Sequence, residues 1–203
     1  MIPNAELSHC QRAIIIGSLL GDACLERNGK HYRLRIEHGR TQKAYVLWKC
    51  KMFTELLTEA SPMQVKAFHL GRQRTYESWR AYTKSLPVFD GIGEAFYHSR
   101  RKVIPRNLTE LLTDPLSLAV WHMDDGYKRS DCNAFRINTD SFSEEEQEIL
   151  RETMAKNFGI QCSVHKKGKY RNLYIPKKSA RQFVELVKPH VLPSLLYKIA
   201  LAP

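Results

Sequence analysis

Two stretches decide the fold: Ile14-Ile-Ile-Gly-Ser-Leu-Leu-Gly-Asp22-Ala23 and Leu118-Ala-Val-Trp-His-Met-Asp-Asp125-Gly126. Each runs an apolar segment directly into an aspartate at the predicted C-terminal end of a helix. A helix C-terminus carries partial negative charge, so a carboxylate there is unfavourable unless a cation, such as a divalent metal ion, neutralises it. Asp22 and Asp125 are 125 − 22 = 103 positions apart in a chain of 203 residues. That is the spacing of two similar halves that each give one carboxylate to a shared centre.

The segments around the first aspartate predict two hairpins and three helices. Ser8-His-Cys-Gln11 has the Ser-x-x-Gln form of a capping box, which starts the helix that leads to Asp22. In residues 24–37, Asn28-Gly29 is a turn signal, and apolar and charged residues alternate after it, so this segment is predicted to be a hairpin. We then expect a helix over 42–60, strands near 65–70 and 75–83, and a helix near 88–97.

The second half repeats this order. Asp114, with Pro115 at the first helical position, opens the helix that ends at Asp125, and Ser143-Glu-Glu-Glu146 is a capping box for a helix ending at Gly159. Each half is therefore predicted to be αββαββα, an α+β fold with duplicated halves, 1–105 and 106–203, joined near 105–107. The remaining predicted elements of this half are strands at 127–129, 135–139, 162–167 and 172–175, and helices at 179–188 and 193–201.

The charge balance indicates a phosphate-rich partner. Thirty-two Lys and Arg against 21 Asp and Glu give a formal charge of +11 and a pI near 9.5, which is typical of nucleic-acid binding. A solvated basic surface is the alternative, because net charge alone says nothing about a site. A hydrophobic content of 43% is enough for a substantial core.

Cysteine usage and hydropathy predict an intracellular protein. The five cysteines are odd in number and widely spaced, so neither a disulfide framework nor a paired-cysteine zinc site is indicated. No apolar run approaches the roughly 20 residues that span a bilayer, and no signal peptide or other targeting signal is seen at the N-terminus. We expect no membrane contact, and a location in an organelle (chloroplast or mitochondrion) or in bacterial or phage cytoplasm, which the sequence does not distinguish.

Both motifs, Gly17-x-x-x-x-Asp22 and Trp121-His-Met-Asp-Asp125-Gly126, resemble the paired signature of the single-chain LAGLIDADG homing endonucleases, in the branch of the mitochondrial omega-intron endonuclease. The resemblance covers nearly the whole chain. Three further strings stand where that branch has similar ones: Lys102-Val-Ile-Pro105, Leu116-Ser-Leu-Ala119 and Leu192-Pro-Ser-Leu-Leu-Tyr-Lys198.

Two positions depart from the family pattern. Val120 stands where the first motif has Gly17, and Ala23 replaces the usual terminal glycine of the signature. Close approach of the two motif helices needs small residues. We therefore expect three others to allow that approach: Ser117, Ala119 and Gly21.

The resemblance implies a fold in which the motif helices pack at a pseudo-twofold axis and each half's four antiparallel strands form a saddle over the DNA major groove. Outward-facing strand residues would read base edges, because Arg pairs with guanine and Asn with adenine in two-bond geometry. The candidate readers are Arg33, Arg35, Arg80, Arg136 and Asn138. In the basic run at 165–171, the residues expected to contact the DNA backbone without reading sequence are Lys166, Lys167, Lys169 and Arg171.

The implied activity is metal-dependent hydrolysis of both strands of a long asymmetric DNA site, by a monomer that leaves short 3′ overhangs and supports intron mobility. The candidate metal ligands are Asp22 and Asp125, with Gly21 and Asp124 beside them giving backbone or indirect help, and the expected cation is Mg²⁺ or another divalent ion such as Mn²⁺. Two lysines match the branch's active-site lysines: Lys102, which is 102 − 22 = 80 residues after the first acid, and Lys198, which is 198 − 125 = 73 after the second.

Two rival functions remain open. A LAGLIDADG protein that binds nucleic acid without cleaving it, such as an intron RNA maturase or a DNA-binding regulator, would usually have lost one acidic residue, and both acids are present here. Intron RNA is then a possible partner. A basic RNA-binding structural protein would lack the repeated αββαββα order. The histidines show no metal-ligand spacing, and His122, inside an apolar run, is expected to lie in the core.

Overall fold

The computed structural model describes residues 6–168 and 170–201, and its first half contains the predicted helices and hairpins. Ser8 and Gln11 form the expected capping box: Ser8 Oγ accepts from the Gln11 amide at 3.1 Å, and Gln11 Oε1 accepts from the Ser8 amide at 3.0 Å. Gly29 takes a φ of +70°, which suits the first hairpin turn. The elements are α1 (His9–Leu20), β1 (Cys24–Asn28), β2 (His31–Gly39), α2 (Lys43–Met52), β3 (Met63–His69), β4 (Arg74–Tyr82) and α3 (Asp90–Phe96).

Helix α2 is shorter than the predicted helix over 42–60. It ends at Met52, because Phe53 leaves helical geometry (φ −116°, ψ 19°) and buries its ring completely. Leu57 then forms a β-bridge with Thr83. The segment after Phe53 is therefore held by the end of the sheet, and tertiary contacts override its helical pattern.

The second half contains the predicted elements and some that were not predicted. Asp114 caps α5, accepting from the Leu116 amide at 2.7 Å, and the Ser143–Glu146 capping box forms at the start of α6. A short hairpin at the end of the first half consists of β5 (Tyr97–His98) and β6 (Arg101–Lys102). The elements of the second half are α4 (Leu108–Leu111), α5 (Pro115–Asp125), β7 (Gly126–Lys128), β8 (Phe135–Asn138), α6 (Glu144–Phe158), β9 (Ser163–Lys167), β10 (Tyr170–Ile175) and α7 (Lys177–Val187).

Three further details of the fold differ from expectation. The β5–β6 hairpin was missed because its turn uses Ser99 and Arg100 at positive φ, without the usual glycine or asparagine signal. Strand β10 begins at Tyr170, before the predicted strand over 172–175, because Tyr170 and Arg171 continue the pairing with β9. The predicted C-terminal helix is a 3₁₀ helix over Pro193–Lys198.

The two halves have equivalent sheets. The first is antiparallel with strand order β1-β2-β4-β3, and the second is antiparallel with order β7-β8-β10-β9. In each sheet, the second and fourth strands in chain order are central, so the two sheets have the same strand order. The duplicated αββαββα organisation and the α+β class predicted from the sequence are therefore confirmed.

By its contacts the chain divides into two compact units. One contains Asp22–Glu94 with the chain up to Gln11, and the other contains Arg12–Gly21 with the chain from Ala95 onward. Most of α1 thus groups with the second half, where it packs on α5. The division at 105–107 stays a prediction about the duplication and is not the boundary between these contact units.

Each unit has its own core. In the first, β2 packs on α2, and the core contains the buried side chains of Leu34, Ile36, Tyr45 and Phe53. In the second, α1 and α5 are buried on nearly all sides: Ile14–Leu20 and Leu116–Asp124 are buried throughout. A helix that is apolar all round belongs in a protein core, so the two motif helices lie in the interior. Within the described residues, no helix combines the length and apolarity that crossing a bilayer would require.

Candidate functional site

The C-terminal part of α1 packs against α5 at two glycines. An ideal Cβ at Gly17 would lie 2.2 Å from the Ser117 carbonyl oxygen and 2.9 Å from the Val120 Cβ, which is closer than real Cβ atoms come. At Gly21 an ideal Cβ would lie 2.5 Å from the Asp124 Cβ. As expected, Gly21 allows the two helices to approach closely because it has no side chain. Gly17 makes the closest approach, although the equivalent position in the second motif is occupied by Val120.

Two lysines hold the ends of these helices in equivalent ways. Lys102 Nζ donates to the Gly21 carbonyl at 2.9 Å. Lys198 Nζ donates to the Met123 carbonyl at 2.6 Å and to the Asp124 carbonyl at 3.2 Å. Each ammonium therefore contacts the carbonyl one residue before the aspartate that the sequence singled out. Positive charge at a helix C-terminus is electrostatically favourable, and it offsets the carboxylates placed there.

The acidic side chains differ in exposure. The Asp22 side chain is 45% exposed, Asp125 ends α5 in a half-buried position, and Asp124 is buried. The Asp124 carboxylate packs on the backbone of Gly21, the residue bonded to Asp22. The donors available at the two helix ends are carboxylate and carbonyl oxygens, the set that hard divalent cations such as Mg²⁺ prefer. The residues present therefore fit the expected cation.

A buried polar cluster adjoins Asp22 in the first unit. We call it the His38 cluster, formed by His38, Tyr45 and Lys49. His38 Nδ1 lies 3.3 Å from Asp22 Oδ2, and His38 Nε2 lies 3.1 Å from Lys49 Nζ. The Tyr45 ring packs against both, with its centroid 4.8 Å from that of the His38 ring and 4.4 Å from Lys49 Nζ. The spacing of the histidines did not indicate His38 as a metal ligand, and Lys49 was not among the candidate residues.

His122 supports the second lysine. It is fully buried between Phe135 and Phe183, as the apolar run predicted, and its Nε2 lies 3.2 Å from the Lys198 carbonyl. Burial lowers the pKa of His122 to about 4, so the ring is neutral and Nε2–H donates to that carbonyl. Gly126 must be a glycine here, because an ideal Cβ would lie 2.0 Å from His122 Nδ1.

The outer face of the first sheet is a strip of alternating charges. This face carries three of the predicted readers: Arg33, Arg35 and Arg80. They alternate along the strands with residues buried on the other face of the sheet, which are Leu34, Ile36 and Ala81. All three arginines are held by two carboxylates, those of Glu26 and Glu37. Glu26 accepts from Arg33 at 3.0 Å and from Arg35 at 2.7 Å, and Glu37 accepts from Arg80 at 2.8 and 2.9 Å.

These ion pairs fix the direction of the guanidinium groups. Arg80 presents two parallel bonds to Glu37, the bidentate geometry that gives Arg–carboxylate pairs their specificity. Burial raises the pKa of Glu37, but hydrogen bonds from Arg80 and Ser78 outweigh it and lower the pKa below its ordinary value. Glu37 is therefore ionised at neutral pH and keeps Arg80 aligned.

The outer face of the second sheet is different in chemistry. The β8–β10 register pairs Asn138 with Asn172 and Arg136 with Tyr174, so the two predicted readers share this face with two residues that the sequence had not selected. His165 stacks on Tyr174 at 4.3 Å. Among the described residues, Arg136 Nε and Asn172 Oδ1 are buried polar atoms without a hydrogen-bond partner. Strand alternation along β10, with Leu173 and Ile175 buried, was the signal that could have identified Asn172.

The basic run after His165 divides between the two faces of the sheet. Lys166 and Arg171 pair across β9 and β10 and both contact Glu144 at the start of α6, Arg171 at 3.2 Å. They lie on the same face as buried Leu173, opposite to Asn172. Their contact with DNA backbone stays a prediction, as does that of Lys167, whose side chain is not described, and of Lys169, which lies outside the described residues.

Residues 12–183 match the model of the LAGLIDADG DNA endonuclease family, and the chain belongs to this family. The matched segment includes most of α1, all of α5 and all eight strands of the two sheets. The family predicted from the paired motifs is therefore confirmed.

Known proteins that are similar to this one align with nearly the whole chain. A probable intron-encoded endonuclease 1 from Wickerhamomyces canadensis is 30% identical over 200 residues, covering 95% of this chain and 85% of the relative. A cytochrome b mRNA maturase bI2 from Debaryomyces hansenii is 28% identical over 203 residues, covering 97% and 76%. The solved structure of the homing endonuclease I-WcaI bound to its DNA recognition sequence superposes with a TM-score of 0.90 at 28% identity, covering 98% of this chain and 90% of that one.

Proposed function

We propose that this protein is a site-specific homing endonuclease that makes a double-strand break in a long asymmetric DNA target and supports intron mobility. The observation that carries the proposal is the matched pair of lysine contacts, from Lys102 to Gly21 and from Lys198 to Asp124. Both put a fixed positive charge next to a helix end that continues into an aspartate.

The chemistry follows from phosphodiester hydrolysis. Asp22 and Asp125 would hold the divalent cation, Mg²⁺ or Mn²⁺, with the backbone at Gly21 and Asp124 beside them. When bound, the cation lowers the pKa of water and neutralises charge on the phosphate. Lys102 and Lys198 are fixed donors that stabilise the negative charge developing on the phosphate oxygens. Each carboxylate is assigned to one strand of the duplex.

Recognition of double-stranded DNA is assigned to the outer faces of the two sheets. A β-sheet surface fits the major groove, where each base pair presents a distinct donor and acceptor pattern. Arg33, Arg35 and Arg80 would read guanine from the first sheet, and Arg136 and Asn138 would read from the second. Because both motifs are in one chain, the protein would act as a monomer on an asymmetric site.

RNA maturation is the second candidate function. This function is supported by the maturase bI2 relative, which is 28% identical to this chain over 97% of the chain's length. Maturase activity needs neither carboxylate for cleavage, whereas both are present here at the ends of the motif helices. Endonuclease activity therefore has the stronger support, and an additional role in intron RNA splicing is compatible with it.

The direct test is cleavage of a plasmid library of intron-insertion sites. The purified protein is incubated with the library in Mg²⁺, in Mn²⁺ and in EDTA, and the cut ends are sequenced. We expect one preferred site with short 3′ overhangs, cut only when a divalent cation is present. Specific retention of one DNA site without cutting in either cation would favour the non-cleaving function, and cutting in EDTA would contradict the metal assignment.

A further inference from the structure

We propose that Glu146 is a positioning residue that holds Lys102 in place for catalysis, an inference that rests on the proposed nuclease function. Glu146 is a buried side chain of α6. Its Oε2 accepts from Arg101 Nη2 at 3.0 Å, and its Oε1 accepts from the Ile104 amide at 3.0 Å. One carboxylate therefore holds the chain on both sides of Lys102.

These contacts go beyond what the start of α6 needs. As part of the capping box, Glu146 Oε2 accepts from the Ser143 amide at 2.6 Å, and the Glu146 amide donates to Ser143 Oγ at 3.3 Å. Glutamine can fill the same place in a capping box. Three donors converge on this side chain, however, and only a carboxylate offers two acceptor oxygens with no donor to oppose them. The choice of glutamate therefore points to the contacts with Arg101 and Ile104.

The segment that carries Lys102 is a short hairpin that depends on support from elsewhere in the chain. Strands β5 and β6 have two residues each. Their turn uses Ser99 and Arg100 at φ +47° and +68°, a conformation that is unfavourable for residues other than glycine. Isolated two-stranded hairpins are marginally stable at best. Glu146 lies 45 positions after Arg101, so its contacts anchor the hairpin to α6.

Support at this point matters because Lys102 must reach a defined acceptor. Lys102 Nζ donates to the Gly21 carbonyl at 2.9 Å, next to the aspartate proposed to hold the cation. The second lysine of the proposed site has comparable support, since His122 Nε2 lies 3.2 Å from the Lys198 carbonyl. A displacement of about 1 Å can slow a reaction ~100-fold. Loss of the Glu146 contacts should therefore impair Lys102 and leave Lys198 unaffected.

The first test measures the accessibility of Lys102 without metal or DNA. The folded protein is labelled briefly with acetic anhydride, and mass spectrometry of its peptides gives the labelling rate at each lysine. Glu146→Gln is nearly isosteric but has a donor at one position, so in either orientation of the amide it loses a contact with Arg101 or Ile104. We expect Lys102 to be labelled several-fold faster in this variant, with Lys198 unchanged as an internal reference. An unchanged ratio of the two labelling rates would overturn the proposal even if the protein proved not to be a nuclease.

Two further variants separate positioning from the stability of α6. Ser143→Ala weakens the same cap but keeps the Glu146 carboxylate, so it should not change the labelling of Lys102. Arg101→Met removes one contact without altering α6, and it should accelerate the labelling of Lys102 less than Glu146→Gln does. Labelling of Lys102 that is as fast in Ser143→Ala as in Glu146→Gln would show that Glu146 acts only through the cap, and would contradict the proposal.

The second test resolves the two strands of a cleaved target in a single turnover. The strand served by Lys102 is identified as the one that Lys102→Met slows more. We expect Glu146→Gln to slow that strand by up to about 100-fold and to spare both the other strand and the DNA affinity. In a Lys102→Met background the same substitution should have no further effect, because Glu146 acts through that lysine. Equal slowing of both strands, with unfolding excluded by thermal denaturation, or additive effects of the two substitutions would contradict a positioning role.

The positioning role and the nuclease function fail in different ways. A wild type that binds one DNA site but cuts neither strand would refute the nuclease, whereas the labelling ratio of Lys102 to Lys198 is measured without DNA. Slower cutting by Glu146→Gln with a wild-type labelling ratio would support the nuclease and overturn the positioning role.

Discussion

Lys102 and Lys198 are the residues in which sequence and geometry agree most closely. Each reaches back 74 to 81 positions along the chain to carbonyls at the end of a motif helix, with donor–acceptor distances between 2.6 and 3.2 Å. These contacts fix the ammonium groups before any ligand arrives. Donors that need no reorganisation during the reaction are the most effective at stabilising charge in a transition state.

Replacing either lysine should therefore slow cleavage rather than binding. We expect Lys102→Met and Lys198→Met each to reduce the rate of strand cleavage by about 10² or more, the effect of losing one preorganised donor. Single-turnover cleavage with DNA affinity measured in parallel checks this. Lys156→Met, on the exposed side of α6, is the matched control. A wild-type cleavage rate in the variant that carries both substitutions would contradict a catalytic role for the two lysines.

Glu37 offers a second prediction at the scale of one side chain. Because it holds Arg80 by two hydrogen bonds, its removal frees the guanidinium to choose other partners. Glu37→Gln should change the base preference at one position of the target by about 1–3 kcal/mol, the value of one bidentate contact. Selection from a randomised target library measures the change. An unaltered profile, like that expected for Glu152→Gln on exposed α6, would show that Arg80 reads no base.

The candidate site was only partly predictable from the sequence. The acids and the two lysines stand in recognisable strings, so they could be proposed as site residues before the fold was known. His38 and Lys49 carry no such signal, since they are 11 residues apart on different elements and meet only when α2 packs on β2. The ion pairs of Glu26 and Glu37 likewise depend on which residues of neighbouring strands lie opposite each other. The alternation of apolar and charged residues along one strand does not specify that register.

At the scale of elements, local signals predicted the starts of helices better than their ends. The Ser143 capping box and the Asp114 cap formed as expected because a cap is a local interaction. Helix α2 stopped early because burial of Phe53 and the bridge at Leu57 are long-range interactions. The β5–β6 hairpin had no turn signal in its sequence, since Ser99 and Arg100 adopt positive φ without being glycine.

The packing of α1 on α5 should be sensitive to a single methyl group. Gly17→Ala would place a Cβ 2.2 Å from the rigid Ser117 carbonyl, so we expect a loss of about 1–3 kcal/mol in the free energy of unfolding. Chemical denaturation measures it. Gly91→Ala in α3 meets nothing within 4 Å and should leave stability unchanged or raise it by up to about 1 kcal/mol. Equal effects of the two substitutions would contradict the close packing.

At the scale of the whole molecule, a net charge of +11 makes DNA binding strongly dependent on salt. Each phosphate contact releases counterions, so the logarithm of the binding constant should fall linearly with the logarithm of salt concentration. The two sheets add different chemistry to this common attraction. Charged pairs cover the first outer face, and amides with aromatic rings cover the second, which matches a target whose two halves differ in sequence.

The duplicated fold also predicts the stoichiometry. One chain carries both αββαββα halves and both acids, so we expect a monomer of 23.6 kDa that binds its asymmetric target one to one. Analytical ultracentrifugation of the free protein and of its DNA complex measures both. A stable dimer on a palindromic site, with no binding to asymmetric DNA, would be incompatible with this organisation.

The most direct test of the central claim is strand-resolved cleavage by Asp22→Asn and Asp125→Asn. Each variant is incubated with a target labelled differently on its two strands, in Mg²⁺, and the products are separated under denaturing conditions. Because each carboxylate is assigned to one strand, neither variant should make a double-strand break, and any residual nicking should fall on opposite strands in the two variants while binding persists. Full double-strand cutting by either variant would contradict the assignment of a catalytic aspartate to each half.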